Sequence, residues 1–301
     1  MSDRLFVATR NGVFTVARRT GRARPRWTIA RAQFLGDNAS MVLPDRREGS
    51  VYVALGHGHF GVKLHRSQDG GRSWEPCATP AYPPKPEGLD EREPNSGRPI
   101  LWNTELVWAL ERGHESEPGT LWCGTSCQAD GMRAAYMPPE RQGDPDVQDP
   151  HHMVQCRANP DVLWVQHHNG VFRSTDGAVS WHEIETVKPA AFGFAVAVHP
   201  DDPDTAWFVP GVSDKHRIPV KGRVAVARTR NGGRSFQVLT QGLPQIHAYD
   251  LTYRHGLDVD ETGDRLAFGT TTGSLWVSED QGDSWETVAE HLPPVYCVRF
   301  G

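Results

Sequence analysis

One turn recurs four times along the chain, and it limits the fold more than any other feature. The copies are Ser67-Gln-Asp69-Gly-Gly71-Arg-Ser73-Trp74, Ser174-Thr-Asp176-Gly-Ala-Val-Ser180-Trp181, Thr229-Arg-Asn231-Gly-Gly233-Arg-Ser235-Phe236 and Ser278-Glu-Asp280-Gln-Gly282-Asp-Ser284-Trp285. The shared pattern is S/T-x-D/N-x-G-x-S-W/F. Short Ser and Asp side chains accept hydrogen bonds from the N–H groups of their own turn. The glycine permits a positive φ. The aromatic residue then returns the chain to the core with a large apolar surface. This chemistry is local, so the turn reads as a structural staple. Its central positions stand 107, 55 and 49 residues apart. The first gap is about twice the others, which predicts one degenerate copy inside it.

A second pattern precedes the turns. Leu5-Phe-Val-Ala-Thr-Arg-Asn-Gly-Val-Phe14, Leu163-Trp-Val-Gln-His-His-Asn-Gly-Val-Phe172 and Leu266-Ala-Phe-Gly-Thr-Thr-Thr-Gly-Ser-Leu275 align without gaps. Each reads as two strands joined by a short loop ending in glycine. Val51-Tyr-Val-Ala-Leu, Leu121-Trp-Cys-Gly-Thr and Ala206-Trp-Phe-Val-Pro look like further copies of the first strand, making six. The first copy has no strand before it, and Val295-Tyr-Cys-Val-Arg-Phe300 at the other end has no hairpin partner. Joining the two predicts an all-β, six-bladed β-propeller of four-stranded antiparallel blades. In it the C-terminal strand completes the first blade, and residues 1–301 form a single domain.

Composition removes several classes of function. A formal net charge of −5 leaves no electrostatic footprint for nucleic acid or an anionic membrane. No apolar run reaches the roughly 18 residues of a membrane span. The opening MSDRLFVATRNG has no basic stretch followed by an apolar one, so no signal peptide is expected. The five cysteines are odd in number and scattered, which fits reduced thiols and a cytoplasmic location. No nucleotide cofactor is expected.

The turn pattern resembles the Asp-box (BNR) repeat propellers, a superfamily that includes sialidases and sortilin-like receptors. Gly56-His-Gly-His-Phe-Gly-Val-Lys-Leu-His-Arg-Ser67 and Phe192-Gly-Phe-Ala-Val-Ala-Val-His-Pro200 are similar to uncharacterised bacterial sialidase-like proteins described as glycosyl hydrolases. The resemblance implies ligand sites on the face opposite the boxes. The loops assigned to that face hold His57, His59, His151, His152, His167, His168, His216 and His247, eight of the 14 histidines.

This asymmetry predicts a His-rich central funnel. His57, His59, His151, His152, His167 and His168 are candidate ligands for a divalent transition metal, zinc or similar. Glu105 or Asp250 adds a carboxylate and leaves a position for activated water. Glu105, His247, Tyr249 and Asp250 are the candidate catalytic groups. Arg10, Asn11, Asn103 and Arg217 are candidate substrate-binding residues. The competing reading is a set of separate, hydrogen-bonded histidines lining a wet funnel. A long acid-rich loop, Pro138 to Pro150, also falls on this face and ends beside Asp149.

A sialidase needs an arginine cluster for its substrate carboxylate. The family places the first such arginine in an Arg-Ile-Pro motif near the N-terminus. Here Arg217-Ile-Pro219 falls in the fifth unit, and the first unit offers only Arg10. That departure argues against a classical exo-sialidase. The expectation is a hydrolase or lyase acting on a small polar or carbohydrate-like molecule in the funnel, with metal assistance. The alternative is a non-catalytic propeller that binds a ligand or partner or serves in assembly.

Overall fold

The computed structural model describes residues 2–21, 26–92, 97–100, 102–104, 106–113, 116–123, 132–144 and 147–301, without the side chain of His59. The described residues form five four-stranded antiparallel sheets and one two-stranded sheet. The first sheet orders β22 (Val295–Phe300), β1 (Arg4–Thr9), β2 (Gly12–Arg19) and β3 (Arg26–Gln33). The second runs β4 (Asn38–Asp45), β5 (Ser50–Gly56), β6 (Val62–Ser67) and β7 (Glu75–Cys77). β8 (Leu110–Arg112) and β9 (Leu121–Cys123) form the two-stranded sheet. Next come β10 (Pro150–Gln155), β11 (Leu163–His167), β12 (Gly170–Ser174) and β13 (His182–Glu183). β14 (Gly193–Val198), β15 (Thr205–Pro210), β16 (Val226–Arg230) and β17 (Gln237–Leu239) follow. The last sheet is β18 (Leu257–Val259), β19 (Leu266–Gly269), β20 (Leu275–Ser278) and β21 (Glu286–Ala289).

The chain is therefore an all-β propeller, but the expectation of six four-stranded blades is wrong. Five sheets have four strands, and among the described residues the segment between β7 and β10 supplies only the pair β8–β9. The degenerate copy inferred from the long gap does not complete a blade. Among the described residues no helix is long and apolar enough to cross a membrane.

The innermost strands touch one another in turn: β10 with β14, β14 with β18, β18 with β22, β22 with β4, and β4 with β8. In the four-stranded sheets the second strands are buried on both faces between neighbouring sheets, which is why they read as unbroken apolar runs. β5 (SVYVALG) and β15 (TAWFVP) are buried almost throughout.

The four repeated turns share one hydrogen-bond pattern. Ser67 Oγ donates to Asp69 Oδ1 (2.7 Å) and accepts from the Gly71 N–H (2.8 Å). Asp69 accepts from the N–H and hydroxyl of Ser73 at 2.9 and 2.6 Å. Ser174–Asp176, Thr229–Asn231 and Ser278–Asp280 repeat the first contact at 2.8, 3.1 and 2.7 Å. The donors from Ser180 and Ser174 hold the Asp176 carboxyl down at about 2. Gly71, Gly233 and Gly282 take positive φ at the fifth position, where glycine alone is unstrained. Ala178 adopts the same conformation in the second turn.

Candidate functional site

The inner strands do not start as regular strands. In β10, Pro150 pairs with His167 and His152 with Gln166, so His151 is an extra residue. In β4, Ser40 is extra in the same way, between Ala39 and Met41. β14 slips between Gly193 and Val196, around Phe194. A bulge breaks the alternation of side chains and re-aims them. Here it lets the adjacent His151 and His152 both serve the centre of the molecule.

The start of β4 borders a cavity of about 460 Å³, lined by Asn38, Ser40 and Met41, Leu106 to Trp108, Arg217, Tyr253 to His255, and Tyr296. Its lining carries two guanidinium groups and, among the described residues, no carboxylate. Arg217 pairs with Asp214. The Arg254 guanidinium lies over the rings of Trp108 (5.1 Å) and Phe194 (5.8 Å). Among the described residues no carboxylate lies within ion-pair distance of Arg254. Burial pushes its pKa down, with Arg217 acting the same way and Asp149 opposing.

Beside this wall sits a compact group of metal-ligating atoms. One ligand atom each from Asp149, His151 and His168 lies within 4.8 Å of the other two. Asp149 Oδ2 is 3.2 Å from His168 Nδ1 and 3.7 Å from His151 Nε2. His151 Nδ1 is bonded to the Gly193 carbonyl at 2.7 Å. A carbonyl only accepts, so Nδ1 carries a proton, and Nε2 is the ring nitrogen turned to Asp149. His168 Nε2 faces Asp214 Oδ2 at 4.0 Å, and Asp214 links the group to Arg217. His151 is stacked on Phe194 at 4.3 Å, and Tyr136 meets His168 edge-on at 4.7 Å. The imidazoles of His151 and His168 beside it hold the Asp149 carboxyl down at about 2, against the opposing effect of burial.

A second polar group lies on the axis. His152 and His255 meet edge to face at 4.5 Å. Burial, then Arg299 and Arg254, push His152 down to about 3. Arg299 Nη2 donates to His255 Nδ1 (3.0 Å) and to Glu111 Oε1 (2.9 Å). Burial pushes the Asp258 carboxyl up to about 6, although Arg299 opposes it.

The sequence candidates scatter across this picture. His151 and His168 join Asp149, but among the described side chains the other proposed ligands do not. His57 lies 3.8 Å from Asp37 and is outside the group. His167 is fully buried and accepts the Asp149 N–H at Nε2 (3.1 Å). Burial holds it down at about 4. Glu105 and the His59 side chain lie outside the described residues. Asp250 accepts hydroxyl bonds from Thr270 (2.9 Å) and Thr272, a loop-bracing role. His247 and Tyr249 are exposed. Arg10, Asn11 and Asn103 are exposed and do not line the cavity, whereas Arg217 does. Sequence reasoning left Asp149 in its loop and missed Arg254 and His255. Only Asp149-Pro-His151 carried a local signal, a carboxylate two residues before an imidazole.

No family model matches the chain. No curated protein matches it either. Among solved structures it is similar to YCF48 from Cyanidioschyzon merolae (14% identity, TM-score 0.35, covering 48% of this chain and 41% of that one). It is also similar to the GH74 xyloglucanase from Xanthomonas campestris (15%, 0.34, covering 92% and 47%). An ancestral GH74 enzyme gives 14% and 0.37, covering 96% of this chain and 32% of that one. The chain thus spans less than half the length of each of these three.

Proposed function

We propose that the axial cavity is the active site of a hydrolase or lyase for a small anionic substrate with a polar, carbohydrate-like body. One observation carries this reading: the Arg254 guanidinium borders the cavity, between two aromatic rings, with no carboxylate partner among the described residues. A half-buried guanidinium loses hydration without recovering it from a counter-charge. A bound carboxylate restores that loss through paired, charge-assisted hydrogen bonds. Arg217 lines the same wall, and Trp108 offers an exposed ring for the rest of the molecule.

The group of Asp149, His151 and His168, joined to Arg217 through Asp214, supplies the side chains that act on the bound molecule. The resemblance of the repeated turn to Asp-box propellers supports a site on this face.

The test is calorimetric titration with a panel of hydroxy acids and sugar acids, followed by turnover assays on those that bind. Arg254→Met should weaken binding about 10- to 100-fold, the worth of one charge-assisted pair. His168→Ala should retain binding and lose turnover. If no acid binds the wild type, the reading fails. Binding without turnover would make the chain a ligand-binding propeller instead.

A further inference from the structure

We propose that Asp149, His151 and His168 form a site for one divalent first-row transition ion, independent of which substrate the cavity takes. Two imidazole nitrogens and one carboxylate oxygen suit zinc, cobalt or iron better than calcium or magnesium, which prefer all-oxygen cages. Ligand bonds of about 2.0–2.2 Å in a tetrahedral arrangement put neighbouring donor atoms roughly 3.3–3.6 Å apart. The two separations from Asp149 Oδ2, 3.2 and 3.7 Å, bracket that spacing.

The surroundings fit a metal centre in a second, independent way. His151 Nδ1 is committed to the Gly193 carbonyl. Its Nε2 therefore points at Asp149 Oδ2 across 3.7 Å, a separation too long for a hydrogen bond and suited to a shared cation. Metal-bound histidines usually donate their other nitrogen to a carbonyl or carboxylate, which fixes the ring. Gly193 does this for His151, and Asp214 is placed to do it for His168. The ring of His151, 5% exposed, is further fixed by stacking on Phe194. Asp149 remains 49% exposed, so the open side of the site faces solvent and leaves a position for water or substrate. The ion would supply Lewis acidity and a water of lowered pKa at that position.

The competing occupant is a proton on His151 Nε2, and the experiment separates the two. Tag-free protein is stripped with chelator, dialysed, and titrated with Zn²⁺ and with Co²⁺. One equivalent of each should bind, with Co²⁺ giving visible absorption of a low-coordinate site. His151→Ala and His168→Ala should each weaken Zn²⁺ binding at least about 100-fold while keeping the circular dichroism of the wild type. His57→Ala, outside the group, should bind like the wild type. The proposal is overturned if the wild type binds no stoichiometric ion, or if the His151 and His168 variants bind as it does. If His151→Ala fails to fold, His168→Ala decides alone, because that ring is partly exposed at the surface of the site. The titration needs no substrate, so its failure would leave the anion-binding reading standing, and the reverse also holds.

Discussion

The blade from β14 to β17 and the segment between β7 and β10 begin from the same kind of strand and end differently. Ala206-Trp207-Phe208 lies in β15, and Trp207 is fully buried. Leu121-Trp122-Cys123 is β9, and Trp122 is 64% exposed. Trp164, at the matching place in β11, is again fully buried. Trp207 Nε1 donates to the Gln281 carbonyl, inside the box turn of the next blade, at 2.9 Å. Beyond β15 the chain reaches the Thr229–Asn231 turn and a fourth strand. No such turn sequence follows Trp122 before β10. A strand with the right apolar pattern therefore does not make a blade. The outer turn and its aromatic residue close the sheet over the neighbouring tryptophan.

The two regions are also attached by different forces. Trp207 sits in a continuous apolar cluster with Leu266, Phe268, Trp276 and Trp285 of the following blade. The two-stranded segment gives Val107 and Leu110 to a core cluster, with Leu121 packed against it, and arginines add further anchors. Arg47 donates to the carbonyls of Gly113, Glu117 and Thr120 at 2.9, 3.0 and 2.9 Å. Arg299 bonds Glu111, and Arg254 covers Trp108.

The largest expected effect is on the blade. Trp207→Ala removes a fully buried indole and its hydrogen bond, and should cost about 3–5 kcal/mol in urea unfolding. A loss below about 1 kcal/mol would break the comparison, because the blade's closure would then owe little to its tryptophan.

A pH series sharpens the comparison next. Burial, then His152 and Arg299, push His255 well below its ordinary value. The unfolded imidazole takes up a proton near pH 6.5, while the folded one stays neutral until a much lower pH. The His255 contribution is therefore full above about pH 6.5 and falls by about 1.4 kcal/mol for each pH unit below it, until the folded ring titrates, and His152 and His167 add losses of the same sign. A protonated His255 would also repel Arg299, which bridges to Glu111. Amide exchange at Leu110–Arg112 should rise between pH 6.5 and 5 before exchange at Val226–Arg230 does. Equal protection in both strands across that range would show that the axial pair does not hold the smaller sheet.

How far the sequence carried depends on how local each feature is. The box turns satisfy themselves within eight residues, so their hydrogen bonds were readable from Ser67, Asp69 and Ser73 alone. The second strands were readable because they are buried on both faces. Blade count was misread because Leu121-Trp-Cys has the strand pattern and lacks the turn that would cover it. The grouping of the site residues was hidden for another reason: a strand period of two gives no hint that His151 is an extra residue. Arg254 left no local trace, because its meaning lies in Trp108 and Phe194, far away in the chain.

The smallest effect is the most discriminating. Trp122→Ala deletes the same side chain as Trp207→Ala, from the same strand pattern. It should change stability by no more than about 0.5 kcal/mol, the range of an exposed surface substitution. Little apolar area leaves water at Trp122, so little transfer free energy is lost with it. A cost of 2 kcal/mol or more would mean that the indole is covered in solution, and the contrast between the two regions would fail. A neutral result beside a large loss at Trp207 would show that the repeated turn, and not the strand motif, decides which segments become blades.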